Sequence, residues 1–334
     1  MKTYTVLLTG LGHVGLNFLR ILRQKEPVLT RQYGLALKII GVADSSGILT
    51  DPDGLDLDRV IDHKEQKQGV GTLGQTGISA LQLVNDTAAD FLLDATPSDL
   101  RTGQPGLDLA RLALSQGKHV VLASKSPLVH AYGELAALSR PAAQLRFSGA
   151  VCGAMPTVNV GRRDLPAAAI TRIEAILNST TQVILTLMAQ GSSYESALVE
   201  AQRLGVAEPD PSLDVDGWDT ANKLVIVANA VLNIPARLDD VVVRGIRSVE
   251  PHGEQWALLG LIERVGEGYR LSVEPVRLPS DHPLARLGKD EMGIVYTTDI
   301  YGQIAVTSAK QGPAGASAGM LRDVIDIHHT SQSS

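Results

Sequence analysis

Thr3-Tyr4-Thr5-Val6-Leu7-Leu8 is a β-rich, mostly apolar run, and Gly10-Leu11-Gly12-His13-Val14-Gly15 follows it at once. Leu16-Asn17-Phe18-Leu19-Arg20-Ile21-Leu22-Arg23 comes next, with apolar residues at helical spacing. In this strand–turn–helix context the glycines have distinct tasks. The first permits a tight turn, the second lets backbone approach a pyrophosphate, and the third lets helix pack on strand. The helix start offers free N–H groups and a positive dipole end to phosphates. Gly10, Gly12, His13, Val14 and Gly15 are therefore read as dinucleotide contacts, with His13 along the cofactor's edge.

Working outward, Lys38-Ile39-Ile40-Gly41-Val42-Ala43 reads as a second strand ending at Asp44. An acid there accepts from the ribose 2′-OH and favours NAD over NADP. Its separation from the glycines exceeds the usual ~20 residues, and an insertion around residues 24–34 accounts for that. Ser45 and Ser46 are alternative partners for a 2′-phosphate. Residues 80–84 read as a helix end, 91–95 and 119–123 as strands, and 107–116 as a helix closed by Gly117. Alternating strands and helices on short joints mean a Rossmann-type, doubly wound parallel sheet with helices on both faces. It is expected over residues 1–140.

Past Pro141 the pattern changes. Residues 170–177 alternate like a half-exposed strand, and 241–243, 256–262, 269–273 and 294–298 also read as strands. Helical patterns cover 183–189, 194–204 and 221–232. The expectation for 141–311 is a second α/β domain with a mixed sheet. A last helix, 318–327, follows a glycine-rich loop, and the polar tail after His328 is expected to fray.

Within this second half, Gly205-Val206-Ala207-Glu208-Pro209-Asp210-Pro211-Ser212-Leu213-Asp214-Val215-Asp216-Gly217-Trp218-Asp219-Thr220-Ala221-Asn222-Lys223 gathers five carboxylates and ends on a lysine. Such a segment suits a site that grips an ammonium group and moves a proton. Asp219 and Lys223 are four apart, so on a helix they share a face. The alternative is a solvated helix pair worth about 0.3–0.5 kcal/mol. Glu208 precedes Pro209, which holds its backbone extended. Asp214 either joins the ammonium site or caps a helix.

Read together, these segments resemble homoserine dehydrogenase over nearly the whole chain. Asp94-Ala95-Thr96-Pro97-Ser98 is similar to the family's loop beside the nicotinamide. Gly117-Lys118-His119-Val120-Val121-Leu122-Ala123-Ser124-Lys125-Ser126-Pro127-Leu128 resembles its lysine-bearing segment, with serine where asparagine is usual. The stretch from Ala207 through Asp219 to Lys223 is the most specific match. Gly312-Pro313-Ala314-Gly315-Ala316-Ser317-Ala318-Gly319-Met320-Leu321-Arg322-Asp323 resembles the loop and helix that return to the cofactor domain, so 312–330 is expected to rejoin it. The length fits the short form without a regulatory domain.

The resemblance implies hydride transfer between L-homoserine and L-aspartate 4-semialdehyde, with NAD or NADP, in threonine and methionine biosynthesis. It gives Lys223 and Lys125 roles around the reacting oxygen, with Asp219 orienting Lys223. Glu208 would hold the substrate amino group, with Asp214 and Thr180 as further substrate contacts. Thr96, Pro97, Lys125 and Gly312 would meet the cofactor. The second domain would be catalytic and would form a homodimer. A lysine of lowered pKa can take the alcohol's proton. An adjacent carboxylate opposes that lowering, so burial or a second cation must offset it, and Lys125 is the natural second cation.

The chain departs from the family in places. Ser148 stands where a glutamate often leads a Na⁺-binding loop, which argues against the ion and leaves only carbonyls around Val151 and Gly153. Val206 and Val183 replace tyrosines and Ser179 a glycine, which reshapes the pocket wall. Two other readings therefore stay open: a related amino or hydroxy acid semialdehyde dehydrogenase, and a non-catalytic dinucleotide-binding protein.

Composition excludes other classes. A net charge of −6 and 4% aromatics give no basic, base-stacking surface for nucleic acid. No apolar run reaches the roughly 18–20 residues of a membrane helix, and Met1-Lys2 runs straight into the strand pattern, so a cytoplasmic protein is expected. Cys152 has no second cysteine to pair with. The histidines are scattered, and no transition-metal site is expected.

Overall fold

Strands β1 (Lys2–Thr9), β2 (Leu35–Asp44), β3 (Gly47–Thr50), β4 (Gln75–Thr76), β5 (Phe91–Asp94), β6 (His119–Leu122) and β7 (Leu145–Arg146) make one sheet, ordered β4-β3-β2-β1-β5-β6-β7. The run β2-β1-β5-β6-β7 is parallel, and β3 and β4 add an antiparallel edge. The computed structural model describes residues 1–97, 99–251, 255–308 and 314–332. The chain divides into two compact units, Met1–Ala154 with Gly312–Ser334, and Met155–Gln311. The first unit extends past residue 140 because β7 pairs with β6.

Helices α1 (His13–Tyr33), α2 (Leu57–Glu65), α3 (Ala80–Asp86), α4 (Gly106–Ser115) and α5 (Ser126–Leu138) belong to this unit, with the C-terminal helix Gly315–Gln332. The core joins Val6 and Leu8 of β1, Phe18 and Leu19 of α1, and Phe91 and Leu93 of β5 to Met320, Val324 and Ile327 of the C-terminal helix. Each large side chain buried here contributes about 1.5–3 kcal/mol. The insertion around residues 24–34 is helical: α1 runs on through Pro27 to Tyr33. Buried Leu29 anchors that extension, and Gly34, at φ 63°, caps it by donating to the Leu29 carbonyl. Ala80 begins a helix rather than ending one, because Ser79 caps it. α2 escapes the periodicity reading because it is mostly charged and buries only Val60 and Ile61. The tail does not fray at His328: that ring is buried and bonds the Tyr4 hydroxyl and the Tyr33 carbonyl, carrying the helix to Gln332.

The second unit holds a six-stranded sheet. Its strands are β8 (Ile170–Ile176), β9 (Val241–Val243), β10 (Trp256–Val265), β11 (Gly268–Arg277), β12 (Met292–Thr298) and β13 (Gln303–Ser308). The order is β13-β12-β8-β10-β11-β9, antiparallel except for β9 against β11, so the sheet is mixed. Helices α6 (Thr157–Asn159), α7 (Ser179–Ala189), α8 (Tyr194–Arg203), α9 (Ser212–Val215) and α10 (Trp218–Leu232) accompany it. α10 starts a turn before residue 221 and buries nearly all of its faces. It crosses β10 at Gly260, where a Cβ would lie 3.1 Å from Leu224 and 3.4 Å from Thr220. Among the described residues no helix is long and apolar enough to cross a membrane.

Candidate active site

The glycine turn in the first unit separates its tasks cleanly. Gly10 adopts φ 83°, a region that strains L side chains, and a Cβ there would stand 2.4 Å from the Ala95 carbonyl. A Cβ on Gly15 would meet the Gly10 carbonyl oxygen at 2.0 Å. A Cβ on Gly12 would have nothing within 4 Å. Gly10 and Gly15 thus serve the fold, while Gly12 faces open space ahead of α1, whose N-terminus has no side-chain cap. Open N–H groups beside an unobstructed glycine fit a dinucleotide pyrophosphate. His13 is exposed on the first turn of α1, and the Val14 carbonyl accepts from Ser317 Oγ at 2.7 Å. The C-terminal helix is thereby tied to the turn. Gly312 lies outside the described residues, as does Ser98.

Asp44 closes β2 as expected, but its carboxylate is already engaged. Oδ1 accepts from Ser46 N at 2.9 Å and Ser46 Oγ at 2.5 Å. Oδ2 accepts from Lys64 Nζ at 2.6 Å and Val70 N at 3.1 Å. Burial pushes this carboxyl up, yet the bonds from Lys64, Ser46 and Val70 win and hold it below the ordinary range. Ser46 is spent on Asp44. Lys64, on α2, is a residue the sequence reading missed; its only signal was position twenty residues beyond Asp44.

At the ends of β5 and β6, Asp94 bonds Thr96 and Ser124, the residue before Lys125. Thr96 and Pro97 lie in the turn that leaves β5, and Lys125 stands at the N-terminal cap of α5.

In the second unit the acidic segment is built as a network. Lys223 Nζ reaches Asp219 Oδ2 at 2.6 Å, and both side chains are 12% exposed. That burial excludes the solvated helix pair. Removing one partner of such a pair leaves a buried charge uncompensated, a loss of about 3–5 kcal/mol when burial is complete. Lys223 also donates to the Leu177 carbonyl at 2.6 Å. Asn178 Nδ2 donates to Asp214 Oδ1 at 2.6 Å and Asp219 Oδ2 at 2.8 Å, while its Oδ1 caps α7 at Thr181 N. Asn178 was missed as a site residue; an asparagine ahead of a helical run was the available sign. Burial, then the nearby Asp219 charge, pushes the Asp214 carboxyl up, against bonds from Asn178 and Thr180. Thr180 also donates to the Val206 carbonyl at 3.0 Å, tying α7 to the loop that carries Glu208. Glu208 is exposed, and its carbonyl accepts from Gln202 Nε2 at 3.2 Å.

The loop at Ser148 does not fit a monovalent cation. Ser148 N and Oγ donate to buried Asp323 at 2.6 and 2.5 Å. Burial pushes Asp323 up to about 6. The Gly153 and Ala154 carbonyls accept from Arg322, at 3.3 and 2.7 Å. A guanidinium thus holds a carbonyl that such an ion would need, and no carboxylate extends from position 148. Val151 is buried in the same loop. Among the described residues no group of three or more His, Cys, Asp or Glu could hold a metal ion.

Comparison with known proteins bears on the same segments. The family model for homoserine dehydrogenase matches residues 156–325, and one for Glutamate/Leucine/Phenylalanine/Valine dehydrogenase matches residues 1–98. A homoserine dehydrogenase of Methanocaldococcus jannaschii is 33% identical over 336 residues, covering 98% of this chain and 99% of that protein. An NAD(+)-dependent homoserine dehydrogenase of Pseudomonas canavaninivorans is 31% identical, covering 99% and 97%. A hyperthermophilic archaeal homoserine dehydrogenase solved in complex with NADPH superposes with a TM-score of 0.85 at 27% identity, covering 97% of each chain. With this likeness running the length of both units, the chain belongs to the homoserine dehydrogenase family.

Proposed function

We propose that this protein is an NAD(P)-dependent homoserine dehydrogenase that interconverts L-homoserine and L-aspartate 4-semialdehyde. The observation that carries the reading is the buried Lys223–Asp219 pair, joined through Asn178 to Asp214. Such a network suits proton movement beside an ammonium-bearing substrate.

Oxidation of the primary alcohol releases a hydride and a proton. The nicotinamide ring, when bound, supplies the hydride acceptor. Lys223, as the neutral amine, takes the hydroxyl proton; in the reductive direction its ammonium returns a proton to the aldehyde oxygen. Asp219 orients Lys223 and relays the proton through water. Burial disfavours the lysine's charge, whereas Asp219 favours it, and Lys125 is the second cation near the same oxygen. Glu208 takes the substrate ammonium, with Asp214 and Thr180 as further substrate contacts. Gly12, His13, Val14, Thr96 and Pro97 hold the dinucleotide on a turn that Gly10 and Gly15 shape, and Gly312 is a further contact. Asp44 meets the adenosine ribose and favours NAD by exchanging one of its four present bonds for the 2′-OH, while Lys64 beside it offers the charge a 2′-phosphate would need. We also propose a homodimer built on the second unit, and a cytoplasmic location.

The deciding assay follows reduced-nicotinamide absorbance with L-homoserine and each dinucleotide. Turnover is expected. Turnover of a neighbouring hydroxy amino acid alone would favour the altered-substrate reading, in keeping with Val206 and Ser179. No turnover at all would leave a dinucleotide-binding protein. Light scattering at two protein concentrations tests the dimer.

A further inference from the structure

Asp94 ends β5 with its side chain wholly buried. Oδ1 accepts from Thr9 Oγ1 at 2.8 Å, Thr96 Oγ1 at 2.8 Å and Thr96 N at 3.2 Å. Oδ2 accepts from Ser124 Oγ. These donors come from three separate places: the end of β1, the turn after β5, and the turn after β6. All are uncharged. Burial pushes the Asp94 carboxyl up, against the pull of the same bonds. A buried acid held by three hydroxyls and one backbone N–H is a costly way to fill a core, so packing does not explain it.

What the carboxylate holds does explain it. Thr96 sits in one turn, and Ser124 is the residue before Lys125 in the other. Gly106 leaves the space this arrangement needs, since a Cβ there would lie 2.9 Å from Oδ2 and 3.1 Å from Ser124 Oγ. We propose that Asp94 is a positioning residue for hydride transfer: Oδ1 sets the turn that carries Thr96, and Oδ2 sets the turn that carries Lys125. The inference rests on the reading that Thr96 meets the dinucleotide and Lys125 the reacting oxygen.

The division of labour gives a split that a merely structural acid would not. Ser124→Ala removes only the Oδ2 partner, and Asp94→Asn keeps an oxygen for the Thr96 side. Each should lower kcat about tenfold or more. The Kd for reduced dinucleotide, measured by its fluorescence, should stay within about twofold. The double variant should be no slower than either single one, as expected of groups acting through one bond. Thr96→Val should do the opposite, raising Kd several-fold with saturated kcat within about threefold. Full-rate Ser124→Ala and Asp94→Asn enzymes, beside a Lys125→Ala enzyme that has lost activity, would overturn the inference alone. A fully active Lys125→Ala enzyme would remove the reading beneath it and the inference together. Equal losses of kcat and affinity in every variant would mark Asp94 as structural and also overturn the inference.

Discussion

The glycine turn and the acid–lysine network are built by opposite means. The turn is made of backbone: Gly10 and Gly15 are fixed by what their missing side chains would strike, and Gly12 by the space it leaves open. The network is made of side chains brought from α7, α9 and α10, with a main-chain carbonyl at Leu177. A backbone site needs few residue types at fixed spacing. A side-chain site needs charges balanced by partners from distant segments. The acids show the contrast. Bonds from Lys64, Ser46 and Val70 hold the Asp44 carboxyl down despite its burial, whereas burial, and then the nearby Asp219 charge, push Asp214 up.

The largest effect should come from breaking the network at its centre. Lys223→Ala should lower kcat about 10³-fold, within the range for general acid–base groups, while dinucleotide Kd moves less than about threefold. Steady-state rates and fluorescence titration measure both, and a loss below tenfold would sink the acid–base role.

Next comes a test inside the turn itself. Gly10→Ala should cost about 3 kcal/mol or more of stability, from strain and the clash with Ala95. Gly12→Ala should leave the Tm within about two degrees yet weaken dinucleotide binding at least about tenfold. Calorimetry and titration on both variants would reverse the assigned tasks if Gly12→Ala proved the less stable protein.

A smaller effect separates the two acids by pH. The lowered Asp44 carboxyl contributes stability above the ordinary carboxylate range, and this is lost as pH falls through its folded value. For Asp214, with a raised folded value, the sign reverses: the native chain loses stability as pH climbs from the unfolded value to the folded one. Relative to wild type, Asp44→Asn should therefore be less stable near neutrality and Asp214→Asn more stable. Both differences should shrink in acid. Urea unfolding at pH 4 and pH 7 reads the signs, and matching signs would defeat the assignment. The smallest expected effect is on cofactor choice. Asp44→Ala should weaken NAD several-fold more than NADP, and Lys64→Ala the reverse; equal losses would remove both residues from that role.

The two regions also differed in how far they could be read beforehand. Glycine spacing after an apolar strand is a local signal, and the doubly wound sheet and Gly10–Gly15 turn follow from it. Asp219 and Lys223 were visible because one helical turn separates them. Asn178, forty-one residues before Asp219, was not, because hydrogen bonds between distant segments leave no periodic trace. Lys64 was hidden likewise in a short, mostly charged helix. The continuation of α1 through Pro27 went unread because proline usually ends a helix, and here burial of Leu29 outweighs that tendency.

The bond from Ser317 to the Val14 carbonyl bears on the order of synthesis. The first unit is assembled from both ends of the chain, and its core needs Met320, Val324 and Ile327. On the ribosome, α1 and β1 emerge long before residues 315–332 exist. Until then the sheet carries an uncovered apolar stripe, a natural target for a chaperone. The glycine turn is therefore translated well before the helix that completes its core, and matures only after it.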